Sequence, residues 1–344
     1  MNTPMIKVIK AGIQTSVQDL GRNGHRHFGV CQSGALDVQA LKIANSLLGN
    51  DEDFAGLEVA AGPLELEFQQ PCWIALTGAD FNAKIMQYHN GDSSTEGTSA
   101  YSGWSYQIQA GQRLLLKGNA NGGRAYIAFR GGLDIDLILD SRATDIGAQF
   151  GGHQGRCLIN GDCLNILATK TPIDLNQLNS IGARQQTPEH SIRALPGPHS
   201  NLFSATEKKR FWHADWQLSP ASNRMGCRLI GPDIQVKDEE QNLGFMQTRR
   251  PSTLASHGVI PGTVQLPSSG QAIVLLADGQ TTGGYPIIAN VIQADLWRIA
   301  QLGRKVMFRF DEVSIAEAID ALTNQQQELY RLQQAIAFKL KSQK

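Results

Sequence analysis

Apolar and polar residues alternate with a two-residue period at several places along the chain. Leu64, Leu66 and Phe68 are separated by Glu65 and Glu67, which predicts a strand with one face buried and the other polar. Continuous apolar runs at 72–76, 114–116, 164–167, 272–277 and 306–310, and the segment 124–129 ahead of Gly131 and Gly132, have strand-like lengths and are punctuated by Gly, Asn or Asp. The pattern predicts a mainly β chain. A glycine turn precedes an apolar strand at Gly111, Gly161 and Gly303, an echo that suits repeated sheet modules. Helical spacing occurs three times. Leu36, Ala40, Ile43, Ala44 and Leu47 make one face ending at Gly49, and Val291, Leu296, Ile299 and Ala300 make another ending at Gly303. In the tail, Ser314 and Glu317 match a capping box, and Ile315, Ile319, Leu322, Leu329, Leu332, Ile336 and Leu340 keep one apolar stripe. That stripe must pack on the body of the protein or on a partner chain.

The stretch 169–190 is rich in Gln, Asn, Thr and Pro without an apolar period, so it reads as a linker. It divides the chain into an N-terminal β module over 1–185, a second β module over 186–312 and an amphipathic helix over 313–344. Residues 88–99 read as an exposed loop. The length agrees with more than one unit, since 344 residues exceed the about 250–300 at which one hydrophobic core stops growing. Lys and Arg total 31 and so do Asp and Glu, which argues against a nucleic-acid or anionic-membrane surface. No apolar run reaches the about 20 residues of a membrane span, and a cytoplasmic protein is expected. Five cysteines without CxxC spacing argue against a disulfide framework or a zinc cluster and read as reduced, buried small hydrophobes.

Four segments could carry chemistry. In the first, Gln18, Asp19 and Arg22 are followed by Ser33, Asp37 and Asn45. An amide, a carboxylate and a guanidinium gathered by glycine turns could clamp a small polar ligand. Equally, Asp19 and Arg22 could bridge one another and Ser33 or Asp37 could cap the following helix. In the second, Arg142 and Thr144 lead to the Gly151–Gly152 loop with Arg156 behind it, either an anion-holding nest or a tight turn. In the third, Arg224 and Arg228 flank Gly226 and suit a carboxylate or phosphate, or a solvated strand edge. The fourth is the densest. Gln265 and Pro267 are followed by Asp278, Gln280, Thr281, Thr282 and Tyr285 at the exit of an apolar strand, where binding residues tend to lie. There is no GxxxxGK[ST] loop, GxSxG elbow, HExxH helix or biotin-acceptor lysine, and the eight histidines are scattered.

Taken in order, GIQTSVQDLGRNGHRHFGVCQSGALD (12–37), SRATD (141–145), GGHQGR (151–156), NRMGCRL (223–229), VQLP (264–267), DGQTTGGYP (278–286) and ADLWRIAQLG (294–303) resemble one family. This is the biotin-dependent carboxyltransferase family that includes allophanate hydrolase subunit 2, the antagonist of the Kip kinase inhibitor, and the C subunit of ATP-dependent 5-oxoprolinase. The resemblance implies tandem cyclophilin-like β-barrel modules, a Kip-inhibitor-like sister subunit (the B type of 5-oxoprolinase) and a lactam-utilisation-type third subunit (the A type). It implies a hydrolase complex that opens 5-oxo-L-proline to L-glutamate with ATP, the ATP being shared with the partners, and the sequence carries no metal motif. The alternatives are a carboxyltransferase half of a urea carboxylase, which would use biotin, and a non-catalytic regulator binding a kinase inhibitor. On the family's motifs, Asp278, Gln280, Thr282 and Arg22 are expected in catalysis. Gln18, Asp19, Ser33, Asp37, Arg142, Arg224, Arg228, Gln265, Thr281, Gly283, Gly284 and Tyr285 are expected in substrate binding. Cys227 and Gly279 depart from the residues common at their positions.

Overall fold

A computed structural model describes residues 5–87, 97–119, 123–169, 182–184, 189–237, 254–303 and 305–341. The chain forms two compact units. The first comprises 1–22, 33–187 and 326–344, the second 23–32 and 188–325. Most of the polar segments 88–99 and 169–190 lies outside the described residues.

The first unit holds β1 (Ile6–Ala11), β2 (Gln14–Gln18), β3 (Gly56–Ala61), β4 (Leu64–Phe68), β5 (Cys72–Gly78), β6 (Ala83–Met86), β7 (Gly97–Ala100), β8 (Trp104–Ile108), β9 (Arg113–Leu116), β10 (Ala125–Phe129) and β11 (Cys163–Leu164). They pair in two sheets, β11-β1-β4-β9-β6-β7 and β2-β3-β10-β5-β8. Strand alternation explains the core. Leu64, Leu66 and Phe68 of β4 and Leu114 and Leu116 of β9 meet Leu57, Val59, Ile74, Leu76, Ile127 and Phe129 of the other sheet in one apolar cluster. The intervening Glu65 and Glu67 bind Arg113 on the neighbouring strand, each at 2.9 Å. The run 72–76 is continuously apolar because both faces of β5 are covered. Its Trp73 and Ala75 join Ala44, Leu47 and Leu48 from helix α1 (Val38–Leu47) and its C-terminal edge, together with Ile336 and Leu340 of the tail.

The second unit holds β12 (Ser191–Pro196), α2 (Ala205–His213), β13 (Trp216–Leu218), β14 (Gly226–Ile230), β15 (His257–Gly258), β16 (Thr263–Gln265), β17 (Ile273–Leu275), β18 (Thr282–Gly283), β19 (Ile287–Val291), α3 (Leu296–Gln301) and β20 (Met307–Glu312). Seven of the strands close a barrel in the order β12-β19-β16-β17-β14-β13-β20, and β15 and β18 pair as a separate ribbon. Phe308, Phe310 and Trp216 are buried with Phe211 of α2, the Phe211 and Phe310 rings stacking at 5.0 Å. Helix α4 (Ile315–Lys341) starts with the reciprocal cap that its sequence predicts. Ser314 N donates to Glu317 Oε2 at 2.7 Å, and Glu317 N donates to Ser314 Oγ at 3.2 Å.

Three sequence readings change. Val291 belongs to β19, paired with Ala194, and the helix begins only at Leu296. The β-branched Ile287, Ile288, Val291 and Ile292 favour extended backbone, which outweighs the helical spacing. The tail stripe is covered at one end only, with Ile336 and Leu340 buried while Ile315 and Ile319 are exposed. Of the cysteines, only Cys72 and Cys227 are buried, and Cys163 is exposed.

Truncating Ile336 to Ala is expected to cost about 2–4 kcal/mol by leaving a cavity, whereas Phe338→Ala, at an exposed position, should stay within about 0.5 kcal/mol. Urea denaturation midpoints of the two variants check this. Burial pushes the Cys72 thiol up to about 12, so it should resist alkylation at neutral pH while Cys163 reacts readily. Mass-spectrometric mapping of iodoacetamide adducts on the folded protein reads the difference.

Candidate active site

The first motif cluster lies in the first unit and is almost wholly buried. Asp19 accepts hydrogen bonds from Gly21 N (2.8 Å), Ser141 Oγ (2.7 Å) and Arg142 N (2.5 Å). Gln18 accepts from Gly34 N at 3.1 Å and donates to Ser16 Oγ at 2.9 Å and the Thr144 carbonyl at 3.2 Å. Arg22 donates to the carbonyls of Ile138 and Ala143 at 3.2 and 2.5 Å and lies over the Phe150 ring. Arg142 reaches the Ile135 carbonyl at 2.9 Å. Asp37 is the N-cap of α1, accepting from Ala40 N at 2.9 Å, and Ser33 sits buried in a left-handed turn at φ 53°. These side chains fasten main chain to main chain, satisfying buried polar groups that a loop would otherwise leave unpaired.

In the glycine loop behind them, a Cβ at Gly151 would strike the Arg22 guanidinium and one at Gly152 would strike Thr144, so both positions are closed to larger residues. Arg156 is taken by Asp162, with Nη1 and Nη2 at 2.7 and 2.9 Å from its two oxygens.

The second cluster lies in the second unit. Arg224 binds Asp278 through a bidentate pair at 2.9 and 2.8 Å, and each side chain is only 2% exposed. The guanidinium expected to receive a ligand carboxylate thus receives one from its own chain. Arg228, expected beside it, is exposed on β14. The Asp278 amide returns to the Arg224 carbonyl at 3.1 Å, which fixes the start of the loop 278–285. Beyond this anchor, Gln280, Thr282 and Tyr285 are exposed, while Thr281, Gly283 and Gly284 are half-buried. Thr282 and Gly283 pair with Gly258 and His257.

Gln265 lies beneath this loop. The β16–β19 register skips a residue between Val264 and Gln265, a bulge of the kind that re-aims a side chain next to a site. Gln265 is 1% exposed, its Oε1 accepts from Gln280 Nε2 at 3.3 Å, and its Nε2 has no hydrogen-bond partner among the described residues. Gly283 lies close against it, and a Cβ there would sit 2.6 Å from Gln265 Nε2 and push that amide aside.

Two residues outside the expected site set join this group. Arg26 donates through Nη2 to the carbonyls of Val259 (2.6 Å) and Gln280 (3.2 Å), and burial pulls its guanidinium below its ordinary value. His257 has Nδ1 3.1 Å from the Ala255 carbonyl, and its ring stands edge-on to His199 with centroids 4.8 Å apart. Burial, followed by the proximity of His257, lowers the His199 pKa and keeps that ring neutral at pH 7. Among the described residues, no group of three or more His, Cys, Asp and Glu could hold a metal ion, and no helix is long and apolar enough to cross a membrane.

The sequence pattern of the carboxyltransferase domain, subdomains A and B, matches residues 28–312. The chain belongs to the carboxyltransferase domain A and B family. Within it, this carboxyltransferase-type chain is 40% identical over 322 residues to the 5-oxoprolinase C subunit of Escherichia coli, covering 94% of this chain and 96% of the relative. Its identity to the 5-oxoprolinase C subunit of Haemophilus influenzae is 36% over 314 residues, covering 91% and 93%. The fold is shared with the Kluyveromyces lactis urea carboxylase at a TM-score of 0.80 and 24% identity, the match covering 96% of this chain and 30% of that one.

Removing one member of the buried Arg224–Asp278 pair should be costly. Asp278→Leu or Arg224→Met alone is expected to destabilise the second unit by about 3–5 kcal/mol, because each strands a buried charge. The double variant should recover most of that loss, giving a large coupling energy in a denaturant double-mutant cycle.

Proposed function

We propose that this chain is the C-type component of an ATP-dependent 5-oxoprolinase, opening 5-oxo-L-proline to L-glutamate together with a Kip-inhibitor-like sister subunit and a lactam-utilisation-type third component. The observation that carries the reading is similarity along nearly the whole length of two proteins named as the C subunit of 5-oxoprolinase. The chemistry explains why ATP is consumed. An unstrained lactam carbonyl is a poor electrophile, and moving the γ-phosphoryl group of ATP onto the carbonyl oxygen makes the carbon open to water. Water then adds to the carbon, the C–N bond breaks as the nitrogen takes a proton to leave an acyl phosphate, and a second water releases phosphate and the free carboxylate. ATP and its phosphate-binding groups are assigned to the complex, since the sequence of this chain carries no GxxxxGK[ST] loop.

In this reading Gln280, Thr282 and Tyr285 are the exposed groups of the site that touch the substrate, with Gln265 beneath them. Thr281, Gly283 and Gly284 shape the same loop. Asp278 and Arg224 are positioning residues that act by fixing where the loop starts. Gln18, Asp19, Arg22, Ser33, Asp37 and Arg142 act by holding the first unit's loops. Arg228, exposed on its strand, is assigned to an outer substrate contact. A second reading, carboxyl transfer to an amide from biotin, draws on the fold shared with urea carboxylase.

Reconstitution separates the two. The three-component mixture is expected to release glutamate from 5-oxo-L-proline only with ATP, and omission of this chain should return release to background. Biotin-dependent carboxylation of urea without 5-oxo-L-proline turnover would overturn the first reading in favour of the second. Thr282→Val should lower kcat/KM about ten- to a hundredfold without loss of folding.

A further inference from the structure

Three buried polar atoms around the loop 278–285 lack hydrogen-bond partners among the described residues: Arg26 Nη1, Gln265 Nε2 and His257 Nε2. A buried polar group without a partner costs about 1–3 kcal/mol, so three in one neighbourhood require an explanation. They are neighbours through shared contacts. Gln280 receives Arg26 Nη2 on its carbonyl and donates its own amide to Gln265 Oε1. Gly283, against which Gln265 Nε2 packs, is the strand partner of His257.

The chemical sense of each atom follows from its fixed neighbours. Arg26 Nη1 is a cationic N–H donor, and Gln265 Nε2 is a neutral donor because its Oε1 already accepts from Gln280. A main-chain carbonyl can only accept, so His257 Nδ1 carries the proton facing Ala255, and in that tautomer Nε2 is the ring's acceptor. His199 accepts the Ile287 amide on its own Nδ1 at 3.2 Å, which fixes that ring with its proton on Nε2.

We propose that these atoms form the subsite that reads the carboxylate and the adjacent N–H of a cyclic amide: Arg26 and Gln265 bind the carboxylate, and His257 Nε2 accepts the lactam N–H. The assignment rests on the 5-oxoprolinase reading and deepens it. Two donors, one charged, match a carboxylate, and an acceptor beside them matches an N–H on the neighbouring atom, the arrangement along one edge of 5-oxo-L-proline. Such a site rejects analogues lacking either group, because its polar atoms would then stay buried and unpaired. Access requires rotation of Gln280, an exposed side chain whose bond to Gln265 is long at 3.3 Å, and such rotations take nanoseconds or less.

Calorimetry on the full chain, alone and in the reconstituted complex, tests the subsite with 5-oxo-L-proline, N-methyl-5-oxo-L-proline and 2-pyrrolidone. The wild type is expected to favour 5-oxo-L-proline at least tenfold over both others. Gln265→Glu, which keeps the shape but places an anion against the carboxylate, should weaken 5-oxo-L-proline at least tenfold and leave 2-pyrrolidone unchanged. Arg26→Gln should do the same, and His257→Phe should remove the penalty for N-methylation. Circular dichroism confirms that each variant is folded, and Gln265→Glu stands as the near-isosteric control if Arg26→Gln loosens the loop. Equal weakening of all three ligands, or no preference for the carboxylate in the wild type, overturns the proposal. Failure of the complex to open 5-oxo-L-proline while these preferences hold would instead sink the activity and leave the subsite standing.

Discussion

The buried ion pair between Arg224 and Asp278 is the constraint on which the second unit's functional loop depends. Two charges withdrawn from water carry a desolvation penalty of several kcal/mol each, offset only when geometry is close and further hydrogen bonds are made. Both conditions hold, since the guanidinium engages both carboxylate oxygens and the Asp278 amide closes back on the Arg224 carbonyl. The exit of β17 is thereby tied to the entrance of β14, its neighbour in the barrel. Everything beyond Asp278 inherits that fixed start, including the Thr282–Gly283 ribbon with His257 and the approach of Gly283 to Gln265. A hydrophobic pair could supply comparable stability, but it would not set the direction of the chain through paired, directional bonds.

The first unit uses polar residues in another way. Its core is the apolar layer between two sheets, yet its inward loops are fastened by Gln18, Asp19 and Arg22, whose partners are largely main-chain amides and carbonyls. Loops that run inward need such partners because water cannot reach their peptide groups. Tyr126 shows the same economy of contacts. Its hydroxyl donates to Glu58 Oε2 at 2.8 Å and accepts the Asp37 amide at 2.8 Å, linking a strand of the sheet to the cap of α1. Burial, with Glu58 and Asp37 nearby, raises its pKa well above the ordinary value, so the phenol keeps its proton and its donor role at neutral pH.

Much of this was legible in the chain. The alternation at 64–68 and the apolar runs at 72–76 and 114–116 fall on observed strands, and the Ser314–Glu317 cap begins the tail helix. The Ser204–Glu207 pair carried the same signal for α2, where Ser204 Oγ accepts from Glu207 N, and a scan for capping boxes would have found that helix. The loop 278–285 stood out because so many hydrogen-bonding types follow one strand. Arg26 and His257 did not stand out. Arg26 lies within the 12–37 motif and His257 in a polar stretch, and what distinguishes both is that one nitrogen has no partner among the described residues, a property of three-dimensional surroundings.

Sequence by itself determined most strand positions, the tail helix, the mainly β class and the polar loop at the end of β17, because these follow from local periodicity and turn chemistry. Tertiary structure alone decided which polar residues bind one another. Asp19 and Arg22 share a short motif, yet Asp19 binds Ser141 and Arg142, Arg22 binds Ile138 and Ala143, and Arg224 finds its carboxylate 54 residues on. Hydrogen bonds act over about 3 Å of space without regard to separation along the chain. Only the closed barrel could therefore show that Arg224 is already paired while Gln265, His257 and Arg26 each keep an atom in reserve.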